Sequence, residues 1–230
     1  MFPECASCSC RKDSLFNGCA AEELEEISSN KSCNMYKKGQ VIFHEGNRPH
    51  GVFCINEGKV KITRMGSDGK EQIVRLAKQG DVLGYRALIE GSKYSASAVA
   101  LDDSKICFLS SDDFNHLVDN NMKVANDLLR LVAKALGEAE QKMTQLALKP
   151  VRERLAEALL LLQKTYGQVG VSPFSIAISR EDLAAIVGTA KETVIRTLSE
   201  FKDDNIITAQ GSTITIVDHS KLVKITQLYD

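Results

Sequence analysis

Four of the chain's seven cysteines lie between residues 5 and 19, in the stretch CASCSCRKDSLFNGC. Cysteine thiolates bind soft metal ions and iron–sulfur clusters, and neighbouring thiols can also exchange disulfides. Cys5 and Cys8 have C-x2-C spacing, which by itself is weak support for a metal site. Three interpretations are therefore open: a metal or cluster site, a thiol switch, or a tail without chemistry.

The rest of the chain offers little other site chemistry. Cys54 and Cys107 lie in predicted strands, where a buried cysteine is often only a small apolar residue. Cys33 has no evident partner, and the four histidines are scattered without metal-ligand spacing. No nucleophile–base set, paired carboxylates or glycine-rich phosphate loop is recognisable. We therefore do not expect an enzyme, an iron–sulfur redox enzyme included.

The composition favours a folded protein of the cytoplasm. The 230 residues are 43% apolar and 26% charged, with a formal net charge of -1. No apolar run approaches the roughly eighteen residues of a membrane span, and no secretory signal is apparent, so we expect no membrane association. Because cytoplasmic disulfides are normally reduced, clustered cysteines there favour metal or redox chemistry over structural bridges.

The predicted secondary structure differs between three successive segments of the chain. Nine of the fifteen glycines fall between residues 39 and 91, separating short apolar runs, which predicts an antiparallel roll over 20–110 behind a cysteine-rich tail at 1–19. Apolar residues three or four apart, from Val124 to Leu146, predict a long helix over 111–146. We expect this stripe to pair with its copy in a homodimer, and the alternative is that it packs on its own roll. Pro150 separates this helix from a third segment, at 149–230.

The stretch at 179–201 predicts a helix-turn-helix. Ser179 can cap the first helix, Gly188 permits the turn, and the hairpin that follows makes the motif a winged one. On the second helix we expect four side chains to meet base edges in the major groove: Lys191, Glu192, Ile195 and Arg196. Candidate phosphate contacts are Arg152, Arg180 and Ser199. The alternatives are ordinary solvated charges, and for Glu192 a capping role with Thr189.

Charge also bears on how this segment would hold DNA. Residues 149–230 contain ten basic and ten acidic side chains. Affinity for double-stranded DNA should therefore come from a few placed contacts, doubled by dimerisation, and not from a general positive field.

Together, the roll, the long helix and the stretch VGTAKETVIRTLSEFKDDNII resemble the CRP/FNR superfamily of bacterial transcription regulators. The resemblance implies an α+β fold: a cupin-like jelly roll of the cyclic-nucleotide-binding type, a dimerisation helix and a winged helix-turn-helix. It implies a cytoplasmic homodimer that binds a palindromic DNA site and contacts RNA polymerase. Glu192 and Arg196 match the family's base-reading positions, whereas Lys191 stands where the cyclic-AMP branch has arginine.

The effector-binding stretch departs from the cyclic-AMP branch. That branch binds the nucleotide with a Gly-Glu-Leu triplet and a later Arg-Ser pair, where this chain has Gly84, Tyr85 and Arg86, and then Tyr94 and Ser95. The glutamate for the ribose and the arginine for the phosphate are both replaced. We therefore do not expect cyclic AMP as the effector. The competing function is a cyclic-nucleotide-binding regulatory module that does not bind DNA.

The fumarate and nitrate reduction branch suggests a role for the cysteines. It binds a [4Fe–4S] cluster through three N-terminal cysteines and one in the roll, which implies Cys5, Cys8 and Cys107 here. Where that branch has its third ligand this chain has Ser14, so Cys19 or Cys10 must substitute. We favour Cys19, because Cys10 lies too close to Cys8 in the sequence for both to bind the cluster without strain. Zinc, a thiol switch, and an unknown small ligand or none stay open.

Overall fold

A computed structural model describes residues 4–167 and 173–226. Residues 168–172 and the ends of the predicted tail and DNA-binding segment, at 1–3 and 227–230, lie outside these residues. Two compact units divide the chain: residues 1–65 with 74–138, and residues 66–73 with 139–230.

The first unit contains the predicted roll, built from two four-stranded antiparallel sheets. Its strands are β1 (Ser32–Tyr36), β2 (Val41–Phe43), β3 (Gly51–Glu57), β4 (Lys59–Met65), β5 (Glu71–Lys78), β6 (Val82–Leu83), β7 (Ser97–Ala100) and β8 (Ser104–Ser110). One sheet has the order β1-β8-β3-β6 and the other β2-β7-β4-β5. Period-two alternation gives the strands two faces, so each sheet can bury one side inside the roll.

The roll has an apolar core on each side of the sheet that holds β3 and β8. Inside, Ile55 and Ile106 belong to a cluster between the sheets. Outside, Val52 and Leu109 belong to a second cluster, covered by the N-terminal segment and by helices. These helices are α1 (Ala21–Asn30), α2 (Tyr85–Glu90), α3 (Ser111–Asn120) and α4 (Met122–Leu148). Residues 52, 54 and 56 of β3 thus face the N-terminal segment.

The helical region predicted at 111–146 is two helices with a break at Asn121. The Asn121 backbone is extended, and its side-chain Oδ1 accepts hydrogen bonds from the N–H groups of Lys123 and Val124, at 3.0 and 3.1 Å. An asparagine that caps a new helix in this way competes with continuation of the previous one. This local capping is invisible in the apolar periodicity.

The apolar stripe that helix α4 exposes differs in its first half from the one that the sequence periodicity indicates, because the predicted residues there pack on the roll. Val124 and Leu128 are buried in the roll's outer core and do not belong to the free face. Between residues 129 and 146 the large exposed apolar residues are spaced by three and four, with Ala139 filling the one gap, as in a coiled-coil seam: Leu129, Val132, Leu136, Met143 and Leu146.

The second unit holds the remaining helices and a small antiparallel sheet. They are α5 (Val151–Tyr166), α6 (Arg180–Val187), α7 (Lys191–Asp203) and α8 (His219–Thr226), with β9 (Ser175–Ala177), β10 (Ile207–Gln210) and β11 (Thr213–Ile216) in the order β10-β11-β9. Strands β10 and β11 form the predicted hairpin. In the part of the chain that the structure describes, no helix is both long and apolar enough to cross a membrane.

Candidate DNA interface and cysteine cavity

Helices α6 and α7 are joined by the tight turn that the sequence predicts. Ser179 Oγ accepts a hydrogen bond from the Asp182 N–H at 2.9 Å and so caps α6. Gly188 follows α6 with a φ of 71°, in the left-handed region that favours glycine. The α6 end is also satisfied by Lys142, whose Nζ donates to the Ile186 carbonyl at 2.7 Å. These contacts fix where α7 begins.

The two faces of α7 differ sharply. Val194, Thr197, Leu198 and Phe201 form the buried face. The opposite face carries the predicted base-reading residues, all of them exposed: Lys191, Glu192, Ile195 and Arg196. Ile195 is 44% exposed, which is uncommon for a branched apolar side chain on a charged helix face.

The start of α7 differs from the capping alternative. Its N-cap residue is Ala190, and no side chain caps the helix. Thr189 is instead part of the turn, where its N–H bonds to the Ala184 carbonyl at 3.2 Å. The Glu192 carboxylate therefore has no capping role with Thr189 and lies on the outer face of the first turn.

The predicted contact residues differ in how they are held. Among the described residues, the Arg196 guanidinium has no hydrogen-bond or ion-pair partner, whereas Lys191 forms an ion pair with Glu181 of α6. Arg152 bridges two acidic residues of the α7 end, with distances of 2.8 Å to Glu200 and 2.7 Å to Asp204.

The other two phosphate candidates also make internal bonds. The Arg180 guanidinium donates to the Gly211 carbonyl in the β10–β11 turn at 3.1 Å. Ser199 Oγ donates to the Ile195 carbonyl one turn earlier in α7. These bonds give Arg152, Arg180 and Ser199 structural roles in the free protein, and their phosphate contacts stay a prediction.

A row of three cysteines crosses the sheet outside the roll. Cys33 of β1 pairs in register with Cys107 of β8, which pairs in register with Cys54 of β3. Directly opposed residues of antiparallel strands lie on the same face of a sheet. Cys33 and Cys107 are joined by a disulfide, which the sequence alone does not predict. The pairing of β1 with β8, which brings the two thiols together, is not readable from spacing.

The N-terminal segment covers this face and brings its own cysteines to it. A cavity beneath this segment has five cysteines among its lining residues: Cys5, Cys8, Cys10, Cys54 and Cys107. Cys8 and Cys10 sulfurs are 3.1 Å apart and share a hydrogen bond. Lys31 Nζ donates to Cys5 Sγ at 3.3 Å, and Asn56 Nδ2 donates to Cys8 Sγ at 3.2 Å.

The environment of the thiols favours their protonated form. Burial, followed by the hydrogen bond from Cys8, raises the pKa of Cys10 to about 12. Burial and then the Glu23 carboxylate raise the pKa of Cys19 to about 12. The pKa of Cys54 is raised mainly by burial and then by Cys5. Without a bound cation, these three groups are thiols at neutral pH.

Comparisons with known proteins agree with both halves of this arrangement. Residues 34–121 match the cyclic nucleotide-binding domain, and residues 153–225 match the Crp-like helix-turn-helix domain. The chain is 30% identical over 211 residues to the cyclic AMP receptor protein of Thermus thermophilus, covering 92% of this chain and 95% of that protein. The chain belongs to the CRP/FNR family of transcription regulators.

Two further relatives represent other parts of the CRP/FNR family. The fumarate and nitrate reduction regulatory protein of Vibrio cholerae is 28% identical over 206 residues, covering 89% of this chain and 81% of that one. The solved structure of FixK2 from Bradyrhizobium japonicum superposes with a TM-score of 0.75 at 26% identity, covering 85% of this chain and 96% of that one. The predicted fold and family are confirmed, and the module without DNA binding is not favoured.

In this CRP/FNR regulator, the residues predicted to line an effector pocket differ in their burial. Tyr85 and Tyr94 are buried, whereas Arg86 and Ser95 are exposed. The Tyr94 ring lies against Gly84 and stacks on Phe43 with a centroid distance of 4.1 Å.

The Tyr94–Phe43 stack continues a chain of rings. It runs from Phe43 through Phe53 to Phe108, with centroids 5.6 and 5.0 Å apart. An aromatic side chain thus packs into the roll interior at the position where the cyclic-AMP branch places arginine.

The structure distributes the four predicted cluster ligands unevenly. Cys5 and Cys8 line the cavity, Cys19 does not, and Cys107 lines it while bonded to Cys33. Cys54, for which the sequence predicts only a small apolar residue in a strand, lines it as well. The alternation of β3 could have placed Cys54 on the outer face, but nothing in the sequence places the N-terminal segment over it.

Proposed function

We propose that this CRP/FNR regulator binds, as a homodimer, a DNA site with two-fold symmetry. The observation that carries this proposal is the outer face of α7, which presents Glu192, Ile195 and Arg196 away from a fully buried opposite face. A single recognition helix contacts only a few base pairs, so two are needed for a selective site. The exposed seam on α4 supplies a matching self-complementary surface.

The outer face of α7 suggests a role for each residue. Arg196 bonds the two major-groove acceptors of a guanine, and Glu192 accepts from a cytosine amine. Ile195 contacts a thymine methyl, which accounts for its exposure. Lys191 reaches a base or phosphate after releasing Glu181. As a transcription regulator of this family, the protein contacts RNA polymerase and acts in the cytoplasm.

Selection from random duplexes tests the DNA proposal. Full-length protein should enrich a palindromic sequence whose half-sites are centred about one helical turn, roughly 34 Å, apart. The matched control is the Arg196→Ala variant carried through the same selection. Enrichment without two-fold symmetry, or no enrichment over the starting pool, would contradict the proposal.

The sensor is the cysteine cavity, and an iron–sulfur cluster is its ligand. Soft thiols are the donors that such clusters require, and the lining is otherwise mostly apolar. Arg11 and Lys31 also line the cavity, so positive charge lies next to a negatively charged centre. When bound, a cluster supplies redox chemistry that is sensitive to oxidants.

Single-ion binding fits the cavity less well. Within residues 4–167 and 173–226, no three histidine, cysteine or acidic side chains are arranged to hold one metal ion. This argues against a preformed zinc site, whose four ligands must converge on a single point. A four-iron cluster spreads its thiolates farther apart, so the requirement for a common point does not apply to it.

The signal reaches DNA by changing the arrangement of the two protomers. The N-terminal segment, α1, α3 and the first turns of α4 share the roll's outer core. A change in the conformation of the N-terminal segment shifts the register of the two α4 helices in the dimer. That register sets the separation of the two α7 helices.

Two measurements test the sensor. Protein purified without air should be coloured and should contain iron and acid-labile sulfide, and its affinity for the selected site should change after exposure to air. Calorimetry should detect no binding of cyclic AMP or cyclic GMP, because Tyr94 occupies the place of the phosphate-binding arginine. A colourless, iron-free protein with the same DNA affinity in air would remove the cluster.

A further inference from the structure

We propose that Cys5, Cys8, Cys10 and Cys54 are the four ligands of the cluster, so that its ligand from the roll is Cys54. This inference rests on the proposed iron–sulfur sensor. It differs from the assignment that the family resemblance implies, in which Cys19 and Cys107 complete the set.

The number of free thiols at the cavity carries the first step. Five cysteines line it, and one of them, Cys107, is joined to Cys33 in a disulfide. The remaining four are all free thiols. A [4Fe–4S] cluster takes four thiolates. The cavity therefore holds a complete ligand set that does not include Cys107.

Strand register carries the second step, which concerns the roll side. Cys54 lies directly opposite Cys107, one strand farther from Cys33. Both side chains project from the same face, so the sulfur of either could reach a cluster under the N-terminal segment. Of the two, Cys54 is the free thiol in this structure, and Cys107 becomes available only where the Cys33–Cys107 bond is reduced.

The surroundings of the sulfurs carry the third step. Two side-chain N–H donors already point at the proposed ligands, from Lys31 to Cys5 Sγ and from Asn56 to Cys8 Sγ. Hydrogen bonds of this kind stabilise cluster thiolates and set the reduction potential. Asn56 follows Cys54 by two residues in β3, so one strand face supplies both a ligand and a donor.

Cys10 requires only a side-chain adjustment. Its sulfur lies 3.1 Å from that of Cys8, closer than two ligands of separate irons would be. Rotation about either Cα–Cβ bond separates the sulfurs without unfolding the backbone turns over residues 5–13. Cys19 belongs to the same outer core but does not line the cavity.

Iron and sulfide analysis of single serine variants tests the assignment. Full-length variants are reconstituted without air with ferrous iron and sulfide, and their absorption spectra are recorded. Cys54→Ser and Cys10→Ser should fall to the iron content of protein that was never reconstituted. Cys19→Ser and Cys107→Ser should keep the wild-type content of one cluster per protomer. Cys33→Ser is the matched control, because it breaks the disulfide without removing a cavity cysteine.

The outcomes separate this inference from the sensor itself. If Cys107→Ser or Cys19→Ser loses its iron, or if Cys54→Ser or Cys10→Ser keeps it, the ligand assignment is overturned while the cluster stands. If wild-type protein takes up no iron, the sensor and the ligand set both fail. If the wild-type protein binds zinc and contains no acid-labile sulfide, the sensor and the ligand set fail as well.

A second variant avoids dependence on the folding of Cys54→Ser. Cys54→Ala places a small apolar side chain at this half-buried site, and circular dichroism with thermal unfolding checks that the variant folds. After the same reconstitution it should contain no more iron than protein that was never reconstituted. A folded Cys54→Ala variant with the wild-type iron content would overturn the assignment.

Discussion

Truncation of Arg196 provides the most direct test of the recognition face. The guanidinium is exposed and has no partner among the described residues, so Arg196→Ala removes no internal ion pair. We expect the free energy of unfolding to change by less than about 0.5 kcal/mol, as for ordinary surface positions. Any loss of DNA affinity then reports the interface and not the fold.

The size of the loss follows from two equivalent helices in a dimer. One bidentate contact between arginine and guanine contributes about 1–3 kcal/mol. The symmetric site contains two such contacts, so the variant should lose about 2–6 kcal/mol. At about 1.4 kcal/mol for each factor of ten, the dissociation constant rises by about 30-fold to 20,000-fold.

Fluorescence anisotropy at one fixed salt concentration measures this loss on the selected palindrome and on single-base variants. Arg196→Ala should flatten discrimination at one base pair of each half-site. Lys202→Ala, which removes the same charge from the exposed end of α7, serves as the control and should weaken all sequences alike. If Arg196→Ala also weakens all sequences equally, Arg196 contacts phosphate and the proposed base contact is refuted.

Three other perturbations test the fold and its assembly. Leu136 is 61% exposed in the α4 seam, so light scattering should show that Leu136→Glu is a monomer. The control Val74→Glu, at an exposed position of β5, should stay dimeric. A dimeric Leu136→Glu variant would contradict the seam. Phe201 is fully buried, and Phe201→Ala should lower the free energy of unfolding by about 3–5 kcal/mol in denaturant titration; a loss below about 1 kcal/mol would contradict its core role. Burial lowers the pKa of Lys142, so between that pKa and the ordinary 10.5 the unfolded chain binds more protons and stability rises with pH. Lys142→Met should lack this rise, and an unchanged slope would assign it to other groups.

Local signals explain what the sequence could predict. Glycine spacing and two-residue alternation indicated the roll, because turns and half-buried strands leave a mark in a few consecutive residues. Ser179 and Gly188 marked the start and end of α6 for the same reason. The buried and exposed faces of α7 followed from helical periodicity alone.

Features that depend on distant partners could not be predicted in this way. The disulfide of Cys33 depends on which strand lies beside β1, 74 residues away in sequence. The bonds of Arg152 depend on how α5 packs beside the end of α7. Apolar residues recur three or four apart along two faces of α4, one through Val124 and one through Leu136, so periodicity could not tell the face on the roll from the exposed one. Only the packing of α4 on the roll distinguishes them.

The amide of Asn121 serves two segments at once. Its Oδ1 caps α4, while its Nδ2 donates to the Gly18 carbonyl at 3.4 Å and to the two oxygens of the Glu23 carboxylate at 3.0 and 2.9 Å. A planar amide holds its two ends in a fixed relation. The first turn of α4 and residues 18–23 are therefore mechanically coupled through the Asn121 side chain. Displacement of residues 18–23 either carries the helix start with it or leaves two backbone N–H groups uncapped.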